Sequence, residues 1–301
     1  AWKDVWICPI PTGHLQAVGT DAAGRRQYLY HDAWRTRRDQ EKFDHMLEFA
    51  HALPGLRKRA AEHVATDGLT RERVLACATR LLDRGFFRMG TEGYAEQNQT
   101  YGLATIQKRH VRLDGDLIGF DYVSKSGKRR LASVLDPAVS EVVAQLKRRR
   151  GGGPELLAYK RDGTWMDVRS EDINDYIKEQ TGGDFTAKDF RTWTATVLAA
   201  VALASSFPQA RSRTARNRAV SRAVKEVAHY LGNTPAVCRA SYIDPRVVDR
   251  YRSGLTIAYV LERLGQVDEP GEPAHQGPIE EAVLELIEEK HGPAPELDLI
   301  A

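Results

Sequence analysis

Residues 110–135 constrain the fold most. "HVRL" runs into a turn at Asp114-Gly115, "DLIGFDYVSK" into a second turn at Ser126-Gly127, and "KRRLASVL" returns. Tight turns of this kind join antiparallel neighbours, so the segment reads as a local three-stranded meander. A second hairpin is expected in "ELLAYKRDGTWMDV". Around these strands the apolar residues follow the helical period. "LTRERVLACATRLLDRGF" places Leu69, Val74, Leu75, Ala78, Leu81 and Leu82 on one face. Helices are also expected over Ser170–Gln180, capped by Ser170, and over Ala187–Ala204, capped by Thr186. The pattern is α+β, a mainly helical body with a small antiparallel sheet.

The first fifty residues differ. "DVWICPI", "HLQAVG" and "RRQYLYH" read as three short strands separated by turns. "AWRTRRDQEKFDHMLEFAHAL" then has Phe43, Met46, Leu47 and Ala50 at helical spacing. Pro54-Gly55 predicts a break and a domain boundary. The expected organisation is a β-rich N-terminal domain (1–54), a helical domain (55–265), and an acidic linker with a terminal amphipathic helix (266–301). In that last helix Ile279, Val283, Leu286 and Ile287 share a side, which suits docking on the body or on a partner.

Charge is divided along the chain. The net charge of +3 combines −9 on residues 266–301 with +12 on residues 1–265. A basic body with an acidic tail points to a polyanionic partner, although an arginine-rich soluble surface would give the same totals. The segment "PQARSRTARNRAVSRAVKEVAHYLG" sharpens this. Val220, Val224, Val227 and Leu231 form its apolar stripe, leaving Arg211, Arg213, Arg216, Arg218 and Arg222 for solvent or phosphates.

Several chemistries have no sequence support. The chain carries no GxxxxGK[ST] loop, HExxH, DxDxD or GxSxG, and its nine histidines lack metal-ligand spacing. Cys8, Cys77 and Cys238 are far apart, with no disulfide framework or zinc pattern. That cysteine usage fits a reducing cytoplasm, the expected location; no apolar run reaches membrane-spanning length and no signal peptide is evident.

Three basic clusters stand on different elements: Arg88 in "FFRMGTEGY", Lys125 at the hairpin tip "YVSKSGKRR", and Arg191 in "AKDFRTW". A tyrosine, Tyr242, lies between two helix boundaries in "GNTPAVCRASYIDP". Attack on a phosphodiester builds negative charge on the nonbridging oxygens, and arginine forks match that geometry. A lysine can protonate a departing alkoxide. A phenol, with a pKa of about 10, needs positive surroundings to become a usable nucleophile. Taken singly, each residue has an ordinary structural explanation; their joint order carries the inference.

With "GRRQYLYH", "FFRMGTEGYAEQNQTYGLATIQKRHV", "KDFRTWTATVLAA" and "LGNTPAVCRASYIDP", the sequence resembles the poxvirus-like bacterial type IB DNA topoisomerases over nearly its whole length. The resemblance implies a C-shaped clamp on double-stranded DNA and relaxation of supercoils through a 3′-phosphotyrosyl ester, with no cofactor, ATP or essential metal. It implies a nucleoid-associated monomer. Tyr242 would be the nucleophile, Arg88 and Arg191 the catalytic arginines, and Lys125 the general acid. Asn233 falls where the poxvirus enzymes have histidine; it can donate a hydrogen bond but carries no charge. Its residue type also suits an N-cap of the next helix. Gln27, Tyr28, Tyr30 and Tyr94 would touch DNA, with Arg211, Arg213 and Arg216 adding phosphate contacts. An ordinary strand alternation with one face buried also accounts for Tyr28 and Tyr30. Two alternatives remain: a tyrosine recombinase, which commonly has His where this chain has Lys188, and a noncatalytic DNA-binding protein on the same scaffold.

Overall fold

The structure is a computed structural model that describes residues 1–90, 92, 93, 95, 99–264 and 276–288. It divides into two compact units, residues 1–48 and 49–301. Tyr94 and the linker over 265–275 lie outside the described residues.

The first unit is built on an antiparallel sheet of β1 (Lys3–Ile7), β2 (Leu15–Thr20) and β3 (Arg26–Tyr30), in that order. Val18 pairs with Trp6 on one side and Tyr28 on the other. Asp21 fixes the β2–β3 turn: its carboxylate accepts from the Ala23 and Arg25 amides, the Arg25 guanidinium and Gln27 Nε2, each at 2.9 Å. Tyr28 and Tyr30, two residues apart on one strand, stack on each other, and Tyr30 stacks on Trp34 at 4.4 Å. Trp34 lies in helix α1 (Asp32–Val64).

Helix α1 does not break at Pro54-Gly55, as that dipeptide predicts; it continues to Val64. A proline inside a helix costs roughly 3 kcal/mol. Here Pro54 faces solvent, while Leu53, Leu56, Ala60 and Val64 bury a continuous stripe. That burial offsets the missing backbone bond, at about 1.5–3 kcal/mol for each large aliphatic side chain.

The second unit is mainly helical. Its centre is α2 (Arg71–Gly85), with Val74, Leu75, Cys77, Ala78 and Leu81 fully buried. Thr70 caps it, accepting from the Arg73 amide. The expected meander is β4 (Val111–Asp114), β5 (Leu117–Ser124) and β6 (Lys128–Leu135), and the second hairpin is β7 (Ala158–Arg161) with β8 (Thr164–Asp167). Along β5, Ile118, Phe120 and Tyr122 alternate inward. Helix α3 (Pro137–Arg148) follows the meander.

Helix α4 (Ser170–Thr181) is capped differently from expectation. Arg169 occupies the N-cap, and its amide is taken by Asp172 Oδ2 at 2.9 Å. Ser170 is the first helical residue, with its own amide bonded to Glu92. Helix α5 (Ala187–Ser206) starts at Thr186 as expected, with Asp189 completing a reciprocal capping box. Helix α6 (Arg213–Leu231) is capped by Ser212, buries Val220, Val224, Val227 and Leu231, and ends at Gly232 with φ +65°. Short helices α7 (Pro235–Ser241), α8 (Pro245–Arg252) and α9 (Ala258–Leu264) follow. No helix among the described residues is long and apolar enough to cross a membrane.

The terminal helix α10 (Pro278–Glu288) docks on this unit, burying Ile279, Val283, Leu286 and Ile287. Its Glu280 is itself buried and joins three elements. It accepts from Trp193 Nε1 on α5 at 2.8 Å and from the Arg57 guanidinium on α1 at 3.0 Å, and Arg57 also pairs with Asp83 of α2. Removing one member of such a buried set leaves its partners unpaired, which typically costs about 3–5 kcal/mol. Glu280→Ala should therefore lower unfolding stability by about that amount, read from the urea midpoint. An unchanged midpoint would mean that α10 contributes little to this unit.

Candidate active site

The candidate catalytic residues come from four places in the second unit. Arg88 follows α2 after a sharp turn at Phe86, which is left-handed at φ +54°. The next residues are clamped by two short bonds, from Leu103 N to Arg88 O and from Ala104 N to Met89 O, each 2.8 Å. The clamp needs glycines: a Cβ on Gly90 would sit 2.7 Å from Gly102 Cα, and Gly90 has φ +76°. Lys125 is exposed on the turn between β5 and β6. Arg191 is buried one turn into α5. Asn233 and Tyr242 flank α7 at its two ends.

Tyr242 is fixed by its backbone. Its amide donates to Cys238 O at 3.0 Å. Thr196, on the same helix as Arg191, donates to Tyr242 O at 3.2 Å and accepts from Asp244 N at 3.1 Å. Asp244 is fully buried, caps α8 and holds Arg246. Thus α5 positions both the phenol and the arginine beside it. Nothing in "TWTATV" marks Thr196 apart from its two neighbouring threonines, and sequence reasoning missed it.

The arginines converge from two sides. Arg191 donates to Phe86 O at 2.8 Å and Leu231 O at 2.9 Å, and its guanidinium lies 5.3 Å from the centre of the Tyr242 ring. Arg88 donates to Gly232 O at 2.9 Å and to Asn233 Oδ1. These acceptors are mostly the terminal carbonyls of α2 and α6, which have no partner within their helices. Asn233 does not cap α7. That role belongs to Thr234, which accepts from Val237 N. Pro235 explains this: proline takes the first helical position, so the residue directly before it is the cap. Asn233 Nδ2 is left buried without a hydrogen-bond partner.

Arg88, Lys125, Arg191 and Tyr242 line one cleft of about 310 Å³, together with Met89, Gly90, Thr100, Tyr101, Ala187 and Lys188. Lys188 and Tyr101 in this lining were not singled out as site residues from the sequence. Arg211, Arg213 and Arg216 are not in the cleft; with Asn217 and Arg252 they surround a separate basic depression. Arg216 spends much of its fork on Arg252 O and Ala210 O. In the first unit, Tyr28 is exposed and Tyr30 half-buried, while Gln27 holds Asp21.

The electrostatics favour an anion. Burial alone would push the Tyr242 phenol up, but Arg191 by charge and hydrogen bond, and then Arg88, outweigh it and hold the phenol below its ordinary value. Burial, with repulsion from Arg88, draws Arg191 down to about 10, still cationic at neutral pH. A neighbouring cation stabilises phenolate, so removing one must raise the phenol's pKa. Arg191→Ala should shift the Tyr242 titration upward and Arg88→Ala should shift it less, measured by NMR of ring-labelled tyrosine. An unmoved titration in Arg191→Ala would show that this contact does not tune the phenol.

Residues 31–260 match the family model for the eukaryotic DNA topoisomerase I catalytic core, and residues 1–21 match the bacterial DNA topoisomerase IB N-terminal domain. The chain is 30% identical to DNA topoisomerase 1B of Acanthamoeba polyphaga mimivirus over 261 residues, spanning 84% of this chain and 77% of the relative. It is 20% identical to the Monkeypox virus DNA topoisomerase I over 232 residues, covering 77% and 71% of the two chains. It is also 25% identical to the much longer DNA topoisomerase 1 of Daucus carota, covering 52% of this chain and 19% of that one. A catalytic-core match across most of the chain, joined to the bacterial N-terminal domain, places the protein among the type IB DNA topoisomerases.

Proposed function

We propose that Tyr242 cleaves one strand of duplex DNA and that this chain relaxes supercoils by letting the cut strand turn before resealing it. The observation that carries the reading is the Tyr242 phenol, held under Arg191 in the cleft that Arg88 and Lys125 also line. The phenol gives up its proton to solvent as its oxygen attacks phosphorus, the bond from phosphorus to the 5′-oxygen breaks, and that oxygen leaves with a proton from Lys125. The strand remains as a 3′-phosphotyrosyl ester. The 5′-hydroxyl end swivels about the intact strand, then attacks the ester and releases the phenol. The bond energy is kept in the ester, so the cycle needs no nucleotide and no essential metal.

Each neighbour has a defined part. Arg88 and Arg191 donate to the nonbridging oxygens as charge builds there. Asn233 supplies its otherwise unpartnered Nδ2 to one of those oxygens. Cytoplasmic duplex DNA, packed in the nucleoid, is the substrate, and a single copy of the chain suffices. The N-terminal unit forms the second arm of a C-shaped clamp, with Gln27, Tyr28 and Tyr30 as its DNA contacts. Arg211 and Arg213, with the more occupied Arg216, extend the phosphate track. Tyr94 is included in that track from its place in the sequence alone. The recombinase reading is weaker, because Lys188 stands in the cleft where those enzymes commonly have histidine.

A supercoiled plasmid incubated with the protein, without nucleotide and with a chelator present, should run down to relaxed topoisomers. Recombined products in place of relaxed ones would favour a recombinase. Tight DNA binding with unchanged linking number would leave a noncatalytic binder.

A further inference from the structure

We propose that Arg130 is a positioning residue for this chemistry: it locks together the two helix ends on which Arg88, Arg191 and Asn233 depend. The inference rests on the reaction proposed above for what is positioned, and on independent geometry for how. Arg130 is on β6, five residues beyond Lys125, in the run "KRR". It is absent from the cleft lining and both ends of its fork are taken by backbone carbonyls, so it acts through its neighbours rather than on the phosphate.

Its fork bridges the ends of α2 and α6, which are far apart in the chain. Nη1 donates to Tyr230 O at 3.2 Å. Nη2 donates to Phe86 O at 3.1 Å and Gly85 O at 3.3 Å. Arg191 joins the same two segments through Phe86 O and Leu231 O, and Arg88 reaches Gly232 O. The three arginines thus take the carbonyls of Tyr230, Leu231 and Gly232 in succession, like rungs along the end of α6. Phe86 O is shared by Arg130 and Arg191.

None of the hydrogen-bond acceptors found for these three side chains is a carboxylate. Like charges gathered this closely repel one another, and partly unpaired helix-end carbonyls supply the opposing attraction. Arg130 is half-buried, its Nε has no partner, and its neighbour Tyr122 is only 3% exposed. Burial works against its charge, Tyr122 favours it in part, and repulsion from Arg88 works against it again, so that its pKa lies below the ordinary value. A cation kept there at that cost, with both ends of its fork on backbone, is serving as a bridge. Lysine could restore the charge but not the bridge, because a single ammonium cannot reproduce the two-ended fork.

The test compares wild type, Arg130→Lys and Arg130→Ala. Three quantities are measured: DNA affinity, the single-turnover rate of covalent adduct formation, and the Tyr242 titration in DNA-free protein. Affinity should change by less than about threefold, while adduct formation in Arg130→Lys falls by up to about a hundredfold, the scale of a 1 Å misplacement. The Tyr242 titration should move upward, because Arg191 and Arg88 no longer sit where they stabilise phenolate. A general loss of stability would leave that titration in place. Wild-type cleavage by Arg130→Lys, or slow cleavage with an unmoved titration, would overturn the proposal. If Arg130→Ala does not fold, the lysine variant decides. If the wild type forms no adduct, the proposed reaction fails, and the titration alone still judges whether Arg130 holds the seam.

Discussion

The candidate site depends on the unpaired carbonyls at the ends of two helices. α2 ends at Gly85 and α6 at Leu231, and their last carbonyls meet at one seam. In water such groups would be hydrated. Here Arg88, Arg130 and Arg191 satisfy them. The exchange has two consequences. The helix ends are joined by these polar bonds beside the contact of the Phe86 and Tyr230 rings, and guanidinium groups are brought together on acceptors that, among the described residues, include no carboxylate. A positive cluster results that is already oriented before any anion arrives.

Orientation before arrival matters because electrostatic stabilisation is strongest when no donor must reorganise during the reaction. The same cluster acts on the phenol. Tyr242 rests at the end of α7, its carbonyl held by Thr196 one turn and a half beyond Arg191 on α5. Phenol and guanidinium are therefore set by one rigid helix, and their separation is insulated from motion in the surrounding loops. Lys125 is different. It stands exposed on a short turn between strands, as suits the proton donor proposed for it. From the opposite side, α10 ties α5 to α1 and α2 through Glu280, so the distant tail also braces the helix that carries Arg191.

Much of this was legible in the sequence, for identifiable reasons. The meander was clear because two tight turns interrupt strand-like text, and the helices because their apolar stripes repeat with the right period. Local rules failed where competing groups decide the outcome. Pro54 predicts a break, but its ring falls on the solvent side of a helix whose other face stays buried. Asn233 and Thr234 are both good caps, and the proline after them selects Thr234. Ser170 lost its cap position to the arrangement of Arg169 and Asp172. Tyr242, Arg88, Lys125 and Arg191 stood out by residue type and place, but their roles came from resemblance to a family, since no spacing rule connects residues so far apart in the chain. Thr196 and Arg130 could not be found that way. Each lies among similar neighbours, and its importance comes from partners brought close only by folding.

The central claim is that Tyr242 becomes covalently joined to DNA, and Tyr101 makes it sharply testable because a second phenol lines the same cleft. The most direct measurement traps the protein on duplex DNA with denaturant, digests both components and locates the nucleotide remnant by mass spectrometry. The account predicts a 3′-linked nucleotide on the peptide containing Tyr242, and no adduct when Tyr242 is replaced by phenylalanine. A remnant on Tyr101, a 5′-linked remnant, or an adduct persisting in Tyr242→Phe would contradict it.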